Sequence, residues 1–148
     1  MSTVFNQDDR LTLARRIDAL SLDAAPHWGR MDCPQMLAHL SDGVRMALGE
    51  LLVTTKGPQA LRLPPVRHAV IHWLPFPKSA PTAPELLARR ATDCQAECAD
   101  LKHLLERLAA IEGARDWPEH PAFGRMTSRD WGTLVHRHVD HHLRQFGA

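Results

Sequence analysis

The chain has 148 residues, 44% of them apolar and 24% charged, with a formal net charge of +1. That length suits one domain able to bury roughly two-thirds of its unfolded surface. Near-neutral charge argues against nucleic acid as a partner. No apolar run reaches the ~20 residues of a membrane span. The start, "MSTVFNQDDR", lacks the basic and then apolar pattern of a signal peptide, so the cytoplasm is the expected location.

The spacing of apolar residues predicts four helical stretches and no strand. The first runs from about Gln7 to Leu20, capped by Asn6 with Asp9 at the third position, and carries Leu13, Ile17 and Leu20. The second begins after Asp32, with Pro34 in its first turn, and reaches about Leu52. Its stripe is Met36, Leu37, Leu40, Val44, Ala47, Leu48 and Leu51. The third opens on Thr82 and Glu85 as a capping box, with Leu87, Cys94, Cys98, Leu101, Leu105 and Leu108 inward. The fourth opens on Thr127 and Asp130 in the same relation and runs to about Phe146.

Between the second and third lies "KGPQALRLPPVRHAVIHWLPFPKSAPTAP". A connection this long spans a bundle, so the helices it joins need not be antiparallel neighbours. Val66, Val70, Ile71, Trp73 and Phe76 are too apolar for a solvated linker, and Pro65 to Leu74 reads as a short helix.

The three cysteines read as structural. Cys94 and Cys98 are four apart on one helical face, whereas a redox or metal pair favours Cys-x-x-Cys. Cys33 stands near a helix start, where a thiolate is favoured, but a small core residue is the plainer reading.

The segment "HRHVDHHLRQF" places four histidines in seven positions. At about 100° per residue, with Trp131 as zero, His138 falls near −20° and His142 near 20°, in the centre of the apolar stripe. His136 lies near 140°, outward, and His141 near −80°, on the flank. Two inward imidazoles four residues apart can hold one metal ion. The alternative is a hydrogen-bonded core pair. Asp140 points away from the stripe, so it is a poor general base. A third ligand has to come from another helix, and His39 in "QMLAHLSDG" is the candidate, off the centre of its stripe, with Gly43 one turn on leaving room. Imidazoles ligate only when neutral, so metal affinity is expected to fall as the pH drops through the ordinary histidine value of about 6.5.

The segments "WGRMDCPQMLAHL", "FPKSAPTAPEL", "HPAFGRMTSRDW" and "HVDHHLRQFG" together resemble the DinB/YfiT-like metalloprotein superfamily, nearest to a bacterial branch of unknown function. The likeness covers about Arg10 to Gly147, one domain over 1–148. It implies an all-α four-helix bundle, up-down-down-up, with the proline-rich crossover between helices 2 and 3. It also implies a divalent metal, zinc or nickel, on His39, His138 and His142, and a homodimer. Three neutral imidazoles leave open positions on an ion, as in catalytic sites. The function implied is a metal-dependent thiol S-transferase or a hydrolase acting on a small molecule. The alternative is a non-enzymatic metal- or ligand-binding stress-response bundle. His120 and Gln145 are weaker candidates to line the pocket.

Overall fold

The computed structural model describes residues 1–78, 80–113 and 116–148. Among them are five α-helices and no strand: α1 (Gln7–Asp18), α2 (Cys33–Ala47), α3 (Pro64–His72), α4 (Cys94–Ala110) and α5 (Ser128–Gln145). Short 3-10 turns cover Gln59–Arg62 and Pro84–Leu86. No described helix is long and apolar enough to cross a membrane.

The helix starts follow from side-chain caps that satisfy orphan backbone N–H groups. Asn6 accepts from the Asp9 N–H at 3.0 Å. Asp32 accepts from Gln35 at 3.0 Å, with Pro34 in the first turn. Thr127 and Asp130 form the reciprocal capping box expected from the sequence. At its other end α2 stops at Ala47, short of Leu52, because Gly49 takes a φ of 75° and turns the chain away.

α4, the third of the four helices expected from the sequence, differs most from expectation. It starts at Cys94 on an Asp93 cap, and Thr82 and Glu85 form no capping box. The Glu85 carboxylate instead accepts from the N–H and hydroxyl groups of Thr54 and Thr55. Its own backbone N–H, then those threonine donors, hold its carboxyl down to about 2. The following segment is drawn into long-range bonds. Ala91 donates its N–H to Pro34, Arg90 pairs with Asp32, and Arg89 pairs with both Asp42 and Glu97. Those bonds hold it out of the helical path that its apolar spacing suggested.

The core fills the space between α1, α2, α4 and α5, centred on Leu13, Ile17, Met36, Leu37, Leu40, Leu101, Leu105, Leu108, Trp131 and Leu143. α2 packs on α4 and α5, and α1 packs on the same two helices. A smaller cluster of Ile71, Phe123 and Leu134 seats α3 on α5. Arg137 of α5 donates to the carbonyls of Val70, Ile71 and Leu74, the free acceptors at the end of α3. The crossover is therefore docked and helical as expected, although Trp73 stays 70% exposed. The N-terminal segment reaches α5 where Gly132 has no side chain. A Cβ there would lie 2.4 Å from Phe5 and Thr3.

Candidate metal centre

α2 and α5 face each other along the stripes that bury Leu40 and Val139, and this contact sets His39 opposite His138 and His142. The three imidazole rings form a near-equilateral group. Their centroids are 4.8 Å (His39 to His138), 4.9 Å (His39 to His142) and 4.9 Å (His138 to His142) apart. One nitrogen from each lies within 4.8 Å of the others. His39 and His142 are buried, and His138 keeps partial exposure, so the group opens on that side.

Two of the three tautomers are set by neighbours. His39 Nδ1 is 3.1 Å from the Leu86 carbonyl oxygen, which can only accept. The proton of His39 therefore sits on Nδ1, and Nε2 presents a lone pair. Gln145 donates its Nε2 to the Trp28 carbonyl at 2.6 Å. Its Oε1 is thereby left to accept from His142 Nδ1 at 2.7 Å. His142 Nε2 thus also presents a lone pair. His39 Nε2 and His138 Nε2 are 2.9 Å apart, so His138 is the one ring that can donate within the group. One donor cannot satisfy two acceptors. A divalent cation resolves the deficit once the His138 proton moves to Nδ1, and in this sense the residues fit such an ion.

Burial keeps these rings neutral. It lowers the pKa of His39, pushes His138 well below the ordinary value, and takes His142 down to about 3, and the repulsion that protonated rings would meet from His39 lowers the last two further. The expected loss of metal affinity near pH 6.5 is thereby displaced to lower pH. Neither carboxylate adjoining these histidines in sequence is free to act as a base. Asp42 pairs with Arg45 and Arg89, and Asp140 with Arg16 and Arg144.

The remaining sequence candidates fall around this centre. His141 lies edge-on to His142 (5.1 Å) and to Trp28 (5.5 Å). It borders a recess of about 180 Å³ lined also by Phe76, Lys78, Arg137 and Arg144. His136 is half-buried, and its pKa is lowered by burial. His120 belongs to its own loop, where Nδ1 accepts from Ala122 and Phe123. Burial lowers its pKa to about 4. Gln145 orients His142, and the i, i+3 spacing was the signal for that role. Gly43 faces His138, not His39, with ordinary contact room for a Cβ. The Cys33 thiol is pushed up to about 11 by burial, which removes the thiolate reading.

Gln145 is held in place by the loop before α2. His27 donates its N–H to the Gln145 carbonyl at 2.8 Å. Gly29 adopts a φ of 80°, and a Cβ there would lie 2.8 Å from Gln145 Nε2. Gln145→Ala should therefore weaken metal binding roughly 10–100-fold, the usual cost of losing an orienting partner, with little change in helix content. Calorimetric zinc titration beside circular dichroism checks this. Unchanged affinity would show that Gln145 does not orient His142.

No curated protein and no solved structure matches the chain. A family model described as "Protein of unknown function (DUF1569)" matches residues 4–148. With nearly the whole length matched, the chain belongs to the DUF1569 family.

Proposed function

We propose that this protein is a metal-dependent member of the DinB/YfiT-like superfamily, a four-helix bundle in up-down-down-up order with α3 riding on its crossover. In this reading His39, His138 and His142 hold one zinc or nickel ion. The protein then acts on a small molecule, as a thiol S-transferase or a hydrolase. The observation that carries the reading is the pair of lone pairs fixed by the Leu86 carbonyl and Gln145 within one group of three neutral imidazoles.

A divalent ion held by three imidazoles supplies a Lewis acid with open coordination positions. The chain's own residues do the rest. Leu86 and Gln145 hold two rings in their ligating tautomer, and the buried walls formed by Leu40 and Val139 limit water. The recess beside His141 offers a small molecule an aromatic floor, Trp28 and Phe76, and three cationic side chains. Engagement of Asp42 and Asp140 in ion pairs favours thiol transfer over hydrolysis, because hydrolysis gains most from a free general base.

Protein purified without a nickel column should carry about one divalent ion per chain by elemental analysis. The metal-loaded protein should then catalyse exchange within a panel of small thiols and electrophiles. Metal-free protein that takes up neither zinc nor nickel at neutral pH would overturn the reading. Metal uptake without any turnover would leave the binding bundle in its place.

A further inference from the structure

α3 carries a second pair of histidines four residues apart, His68 and His72 in "PPVRHAVIH". That spacing places them on one helical face, and their ring centroids are 4.5 Å apart. His72 is buried, and its Nε2 lies 2.7 Å from Oδ1 of Asp130 in the first turn of α5. The other Asp130 oxygen accepts the Thr127 N–H at 3.0 Å, which fixes the carboxylate. His68 is exposed, and its ring lies against the rings of His72 and Trp73, with centroids 4.5 Å and 4.9 Å away.

The groups facing His72 hold more acceptors than protons. Asp130 Oδ1 faces Nε2, and the Met1 sulfur lies 3.0 Å from Nδ1. A neutral imidazole has one proton to offer, and a thioether has none. With the single His72 proton on Nδ1, where the Met1 sulfur accepts it, Nε2 and Asp130 Oδ1 both turn lone pairs on the same point, and a cation there satisfies both. One ligand atom each from His68, His72 and Asp130 lies within 4.8 Å of the other two. We propose that His68, His72 and Asp130 form a second site for a divalent metal ion, with two nitrogen donors and one oxygen. That donor set suits zinc.

The site is separate from the His39, His138 and His142 centre. Asp130 and His138 are eight residues apart on α5, about 12 Å along the helix axis. Its two sides come from the crossover helix and from α5, so an ion bound there clips α3 onto the bundle. A purely structural His72–Asp130 bond would tie the same elements together, but it has no use for His68. The exposed His68 therefore discriminates between the two, and its replacement leaves the buried pair intact.

The experiment is a zinc titration of full-length, chelator-stripped protein against a chromophoric chelator. Wild type, His68→Ala, His142→Ala and His103→Ala are compared, the last being an exposed histidine of α4. Wild type should bind about two ions per chain, and His68→Ala and His142→Ala about one each. His103→Ala should match wild type. Zinc uptake by His68→Ala equal to that of wild type overturns the second site. So does an equal loss in His103→Ala, which would indicate scattered surface imidazoles. Full uptake by His142→Ala with a loss in His68→Ala would instead remove the first centre and leave the second standing.

Discussion

His142→Ala and His39→Ala should each lower affinity for the ion at the α2–α5 centre by more than about a hundredfold, since loss of an orienting partner alone costs roughly 10–100-fold. His138→Ala should do the same. It also leaves His39 Nε2 without its one donor, 2.9 Å away, at a cost of about 1–3 kcal/mol to the metal-free fold. His136→Ala should leave affinity unchanged, because that ring is not part of the group. His141→Ala should fall between, through its edge contact with His142. Competition titrations read all five, with circular dichroism confirming the helices. The decisive opposite result is binding lost in His136→Ala and kept in His142→Ala.

Metal-free protein should lose stability steeply on acidification, beginning near pH 6.5. His39, His120, His138 and His142 all have folded pKa values below the ordinary histidine value, with burial the largest cause in each. The unfolded chain then binds more protons than the native state below about pH 6.5, so stability falls as pH falls. For His120 the loss extends to about 4, and for His142 to about 3. Each such imidazole contributes up to about 1.4 kcal/mol per pH unit in its window. Urea midpoints measured in chelator should drop between about pH 6.5 and 4, and the drop should be shallower in His120→Gln. Metal affinity of the folded protein should stay nearly level through pH 6.5 and then collapse with unfolding. A flat urea midpoint from about pH 7 to 4 would mean these rings are charged inside the fold.

The sequence by itself determined the parts of this protein that local geometry controls. Helical periodicity put His138 and His142 on the buried side of α5, and side-chain caps placed the starts of α1, α2 and α5. The apolar content of the crossover predicted that it packs, and Ile71 does. Long-range pairing decided the rest. Thr82 and Glu85 have the spacing of a cap, but Glu85 finds four donors on Thr54 and Thr55, some thirty residues away. His39 lies off the centre of its own stripe, and only the packing of α2 on α5 turns it toward the other two rings. Its tautomer depends on the Leu86 carbonyl, a backbone group that no side-chain pattern marks. His68 and His72 repeat the four-residue spacing of α5 in plain view, yet the spacing acquires chemistry only because α3 docks where Asp130 starts α5. A helix fixes which residues share a face within a few turns, whereas the group a face meets is fixed by the burial of every other face.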